Sequence, residues 1–218
     1  MTTLASTSQA LAAHRAARER FPRRAAAACL AALALAVLVI ETWPGAQAAL
    51  EFDRAAVAAG QWWRLASGNL VHHGWGHLAA DLAAFILLCW MAPGRLRYTV
   101  LLAVLAALAV GVSACLWGGA DTYRGLSGIN YGLLAYALVA MAVRRRGWPA
   151  AGLVALLLVV IAKTAIETAT GRLLVNVCLP DGVLVVGVAH LAGLAVGIAA
   201  ALLANNKGDI RAAVNVSP

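Results

Sequence analysis

Six apolar stretches divide the chain, at roughly 25–42, 77–93, 98–117, 127–143, 149–168 and 183–204. Each approaches the ~20 residues an α-helix needs to cross a ~30 Å hydrocarbon layer, the second and fourth being short. Alanine and leucine dominate them and β-branched runs are few, so the pattern predicts helices rather than barrel strands. The polar segment 43–76 is the longest connection and carries Trp43, Trp62, Trp63 and Trp75. Tryptophan favours the headgroup level, so this connection is expected to lie partly in the interface. The pattern therefore predicts an all-α membrane protein with six transmembrane helices. A polar tail spans 1–22, the membrane domain 23–206, and a second tail 207–218.

Composition agrees with the pattern. Of 218 residues, 63% are hydrophobic and only 12% charged, where a soluble domain carries about 25% charge. The net charge of +8 does not read as a nucleic-acid footprint, because the basic residues fall in short clusters between apolar spans. Those clusters lie at 14–24, at Arg95 and Arg97, at Arg144, Arg145 and Arg146, and at Lys207 and Arg211. The alternate connections carry only Arg54, Arg64, Arg124 and Arg172, partly offset by Glu51, Asp53, Asp121 and Asp181. The bias alternates at every crossing, which predicts cytoplasmic N and C termini. A rival reading takes Arg23-Arg24, the first apolar stretch and Ala46-Gln47-Ala48 as a cleaved signal peptide, leaving five spans. The long polar lead and the consistent alternation favour six.

The candidate chemistry sits where polar residues interrupt the apolar stretches. Gly125-Leu126-Ser127-Gly128 opens the fourth span, and His190 sits inside the sixth, in Ala189-His190-Leu191-Ala192-Gly193. A serine between glycines at a helix start is a candidate nucleophile, and a histidine in hydrocarbon is costly without a role. Ser127 and His190 each lie about 17 residues, and His77 about 18, from the basic residue marking the cytoplasmic end of its helix. At 1.5 Å per residue all three stand roughly 25–27 Å above the inner boundary, a few ångströms below the outer surface. Taken singly, Ser127 reads as an N-cap and His190 as a core histidine, while His77 and Asp81, spaced i,i+4, satisfy each other. The shared depth makes a constellation the better reading. Gly128 and Gly132, facing Gly193 and Gly197, are small-xxx-small pairs that allow the two helices to approach closely. No matching ligand cluster lies at the level of His72, His73 and His77, so no metal is expected. Cys29 and Cys89 read as packing residues, and a Cys115–Cys178 disulfide near the outer face is the weaker alternative to free thiols.

With these residues assembled, the chain resembles the rhomboid intramembrane serine proteases over about residues 25–204. The matches are Gly125-Leu126-Ser127-Gly128, Tyr131 one turn after the serine, Ala189-His190-x-x-Gly193, Trp63-Arg64 in the first external connection, and His77 at the start of the second span. The resemblance implies a six-helix rhomboid-like bundle and a serine endopeptidase without a cofactor. Ser127 would be the nucleophile and His190 the general base and then acid. Tyr131 would pack on the His190 ring, and His77 with the Ser127 N–H beside Gly125 would stabilise the oxyanion. The family usually has asparagine where Asp81 stands. An ionised carboxylate cannot donate to an oxyanion, so either Asp81 is protonated or it orients His77.

A narrower resemblance, to the rhombosortase branch, rests on Arg124-Gly125-Leu126-Ser127-Gly128 and on Lys163-x-x-x-Glu167 with Gly171 after the fifth span. It implies a bacterial inner-membrane enzyme opening toward the periplasm. Its substrates would be membrane-anchored exported proteins whose C-terminal tails carry a Gly-Gly-rich motif, a span and a basic end. Lys163 and Glu167 stand one turn apart, close to the level of Ser127. They form either a local ion pair that neutralises both or a pair that meets substrate. The expected partners are thus protein substrates and the lipid bilayer.

Overall fold

The computed structural model describes residues 28–29, 31–92, 96–117, 119, 121–174 and 186–206. Both polar tails, Arg95, Cys178 and Asp181 lie outside the described residues. Among the described residues an apolar helix lies in each of the six stretches. Helix α1 (Ala31–Thr42) turns by 112° into α2 (Pro44–Leu50), where the proline takes the first helical turn and costs no hydrogen bond. The connection then builds β1 (Phe52–Asp53), α3 (Arg54–Ala58), α4 (Arg64–Ser67) and a 3₁₀ turn over Gly68–Leu70. Then follow α5 (Trp75–Met91), α6 (Leu96–Trp117), β2 (Thr122–Tyr123), α7 (Ser127–Ala142), α8 (Trp148–Thr170) and α9 (Gly187–Asn206).

Three helical segments, Tyr98–Leu116, Trp148–Thr170 and Gly187–Asn205, are each long and apolar enough to cross a membrane, and the number rises to five if each bent pair is one span. The bent pairs are α1 with α2, and Arg64–Leu70 with α5, the latter at 98°. The sixth apolar helix, α7, has 16 residues, or about 24 Å at 1.5 Å per residue, less than a ~30 Å hydrocarbon layer. The expectation of six crossings thus meets a short helix at the position that matters most. Ten of its residues are buried, from Gly128 to Ala140, and it packs on α5, α6, α8 and most extensively on α9. A short helix can sit in mid-bundle because its neighbours, rather than lipid, cover its sides.

The α7–α9 contact is a glycine seam. A Cβ on Gly193 would strike the Gly128 carbonyl oxygen, and one on Gly197 the Gly132 carbonyl oxygen. The two backbones touch, as the paired small residues lead one to expect. Around the lower part of α7, Phe85, Leu88, Leu102, Ala106, Leu133, Tyr136 and Ala201 close the core. Helix α8 is different. Its outer side and lower half are exposed, and Thr164 and Glu167 are its buried residues. Cys29 is exposed rather than packed in the bundle, whereas Cys89 is partly buried, and Cys115 is a free thiol.

The 43–76 connection is more ordered than a single loop. Arg64 is buried and holds it together: its Nη1 donates to the carbonyls of Ala48 (2.9 Å) and Glu51 (2.8 Å), and its Nε donates to Gln61 Oε1 (2.7 Å). Arg54 reaches the last turn of α6, where its guanidinium donates to the Ala114 and Cys115 carbonyls, groups left without helical partners. β1 pairs antiparallel with β2, with Phe52 opposite Tyr123 and Asp53 opposite Thr122. This short ribbon leads the chain into the Gly125–Gly128 motif. Trp43, Trp62, Trp63 and Trp75 are each more than half exposed, the disposition expected of side chains at a headgroup layer.

Candidate active site

Gly125 is in the left-handed region, with φ +124°, which only glycine adopts without strain. Its Cα also meets the His77 ring, and a Cβ there would lie 2.8 Å from His77 Cε1. The Tyr123 hydroxyl donates to the Gly125 carbonyl at 2.9 Å, and burial pushes that phenol above its ordinary range, so it remains a neutral donor. The chain then enters α7 at Ser127, the first helical residue, whose N–H has no intrahelical acceptor. Ser127 Oγ lies 2.9 Å from His190 Nε2, a normal hydrogen-bond length for a hydroxyl donating to an imidazole. The glycine seam one turn below makes this separation possible.

His190 is buried, and its Nδ1 has no hydrogen-bond partner among the described residues. Among those residues no carboxylate stands behind the imidazole. For Nε2 to accept the serine proton, neutral His190 must carry its hydrogen on Nδ1. Its ring is held instead by stacking: the Tyr131 ring lies 4.4 Å away, centroid to centroid, at 16°.

A family model described as the Rhomboid domain matches residues 59–207. The chain belongs to the rhomboid family. No match was found among curated proteins. As a rhomboid it is a multi-pass membrane protein of an intramembrane serine protease family, and its substrates are membrane proteins in the lipid bilayer. The Ser127–His190 hydrogen bond is compatible with the dyad of such a protease.

Beside the dyad, this rhomboid buries a second polar cluster. His72 Nε2 and His77 Nε2 stand 3.4 and 3.3 Å from Asp81 Oδ2. These are ion-pair distances rather than aligned hydrogen bonds, since His72 nitrogens and Asp81 Oδ2 lack hydrogen-bond partners of good geometry. Asn130 donates from Nδ2 to the Asp81 carbonyl (3.0 Å) and to Asp81 Oδ1 (3.4 Å). His77 Nδ1 accepts the His73 N–H at 3.3 Å, so in neutral His77 the hydrogen sits on Nε2, near Asp81 Oδ2 but not aligned with it. The Asp81 carboxyl is thus flanked by the Asn130 amide nitrogen and by two imidazole nitrogens.

The fifth-span residues also reach the site. Lys163 Nζ lies 2.7 Å from Glu167 Oε2 and donates to the Tyr131 hydroxyl at 2.7 Å. Glu167 is fully buried and its Oε1 accepts the Leu174 N–H at 2.9 Å. Arg124, just before the motif, pairs with Glu51 at 2.8 Å from both Nε and Nη2. Ser127, His190, His77, Asp81, Gly125, Tyr131, Lys163 and Glu167 are thus brought into one neighbourhood. Sequence reasoning missed Asn130, His72 as a neighbour of Asp81, and Tyr123. Asn130 carried a usable signal, as a polar residue on a largely apolar helix at the level of Asp81, each standing 14 residues from the basic residue at the end of its span, Arg144 and Arg95.

Proposed function

We propose that this rhomboid is a serine endopeptidase that uses Ser127 and His190 to cleave membrane-anchored proteins near the outer face of the bilayer. The 2.9 Å Ser127–His190 contact carries the reading. Ser127 Oγ attacks the carbonyl carbon of the scissile bond while its proton passes to His190 Nε2. The carbonyl oxygen becomes an oxyanion, facing the Ser127 N–H and the Nε2–H of His77, which lies over Gly125 and is oriented by Asp81. Collapse breaks the C–N bond, and His190 returns the proton to the departing amine. A second nucleophile, water in a hydrolysis, gives its proton to His190 and breaks the acyl ester, which restores Ser127.

The favoured substrates are C-terminal sorting tails of exported proteins in a bacterial inner membrane, with the site opening toward the periplasm. The support is the rhombosortase-like Arg124-Gly125-Leu126-Ser127-Gly128 motif together with Lys163 and Glu167. A general rhomboid acting on other single-span proteins is the alternative. Proteoliposomes holding the enzyme and two single-span reporters, one with a Gly-Gly-rich tail and one without, separate them. Preferential cleavage of the first, abolished by Ser127→Ala, is expected. Equal cleavage of both would reject the tail specificity, and cleavage that survives Ser127→Ala would reject the protease.

A further inference from the structure

Among the described residues no carboxylate stands behind the dyad's histidine, and a different set of groups stands in that place. His190 is held through the face of its ring by Tyr131, at 4.4 Å and 16°. A stacked ring orients a histidine only if it is itself fixed. Tyr131 is fixed at its far end, because its hydroxyl accepts a 2.7 Å hydrogen bond from Lys163 Nζ. Lys163 is in turn fixed by Glu167 at 2.7 Å. Glu167 has no exposed side-chain surface, so its charge is compensated where it stands by the ammonium and by the Leu174 N–H. The chain of contacts therefore runs from a buried carboxylate on α8, through an ammonium and a phenol, to the imidazole on α9.

Resting on the dyad reading above, we infer that Lys163 is a positioning residue of the active site: anchored by Glu167, it pins the Tyr131 hydroxyl and so holds the ring on which His190 stacks. This differs from a pair that only neutralises itself, because an ion pair with no further task has no need of the phenol. It differs also from a pair that meets substrate, because the ammonium donates to the Tyr131 hydroxyl while its charge is held by Glu167. The tyrosine can then be neither free to turn about its side-chain bonds nor free to slide off the imidazole. The inference assigns α8 a part in the chemistry, although most of its residues are exposed or only partly buried among the described residues.

A fluorophosphonate separates these readings, since it reacts with the serine without carrying a peptide. Ser127 Oγ displaces fluoride at phosphorus while its proton passes to His190. The full chain in detergent is compared as wild type, as Lys163→Met with Glu167→Gln, as Tyr131→Phe, and as the triple variant. The paired replacement removes both charges together, so no buried ion is left alone. Each of the first two variants should label about tenfold more slowly, a smaller loss than the ~10²-fold of a 1 Å misplacement. Peptide cleavage should fall by the same factor in kcat with KM unchanged. The triple variant should be no slower than Tyr131→Phe, because the lysine acts through the hydroxyl that variant lacks. Wild-type labelling in the paired variant with reduced peptide cleavage would overturn the inference in favour of substrate contact. Losses that multiply in the triple variant would also overturn it. If the paired variant fails to fold, Tyr131→Phe decides alone, since it leaves the ion pair whole and wild-type labelling by it rejects the link. A wild-type protein that labels no better than Ser127→Ala would overturn the protease reading itself.

Discussion

Gly193→Ala puts a methyl group where α9 rests on the Gly128 carbonyl oxygen, with the Gly132 nitrogen 3.3 Å away. Both neighbours are backbone and cannot swing aside, so α7 and α9 must part by on the order of 1 Å, a form of overpacking that costs about 1–3 kcal/mol. The same displacement acts on the site, because Gly193 lies three residues, less than one turn, from His190. Stretching the 2.9 Å Ser127–His190 contact by ~1 Å takes it beyond hydrogen-bonding range, and misplacement of that size costs about 10²-fold in rate. Gly197→Ala meets the Gly132 carbonyl in the same way but lies two turns from His190. It should lower the melting temperature similarly with a smaller loss of turnover. Gly152 on α8 has nothing within 4 Å of its Cβ position, so Gly152→Ala is the neutral control. Cleavage of a single-span reporter and thermal unfolding in detergent, measured on all three, test the argument. Wild-type turnover by Gly193→Ala would refute it.

Other expectations follow from the same contacts. Asp81→Asn should stay within about tenfold of wild-type kcat, the scale of one hydrogen bond, while Asp81→Ala should lose about 10²-fold, as when a donor to the oxyanion is lost; equal collapse of both would show that the charge itself is required. Arg64→Met strips donors from the Ala48 and Glu51 carbonyls and from Gln61, and should destabilise by about 1–3 kcal/mol, read as a lower melting temperature; Arg64→Lys, lacking the planar fork, should recover only part. A cysteine at exposed Ala58 should react with an impermeant thiol reagent from outside intact cells and one at exposed Arg145 should not; the reverse labelling would invert the proposed topology.

The Ser127–His190 pairing was legible because polarity is rare in this chain. A serine between glycines and a lone histidine stand out against alanine and leucine, and distances to the basic clusters place both at one depth. The α7–α9 seam was legible for a similar reason, since glycines four apart on two helices have few other uses. What the pattern did not carry is rotation. Helices apolar on every side show no preferred face, so nothing in the chain said that Lys163 turns toward Tyr131, or that Asn130 turns toward Asp81. His72 was equally hidden, because it lies in a connection whose path depends on Arg64 and on the bend before α5. The two-residue strands β1 and β2 are too short to leave a period. The shortness of α7 was visible in the spacing of Ser127 and Arg144, and its consequence, a nucleophile recessed within the bundle, follows from the neighbours that surround it.

The central claim is that Ser127 is a nucleophile activated by His190. Peptide mapping by mass spectrometry after fluorophosphonate treatment tests it most directly. The account predicts one adduct, on Ser127, formed by the wild type and lost in His190→Ala although Ser127 is still present. No adduct on the folded wild type, or an adduct that forms as fast without His190, would contradict it.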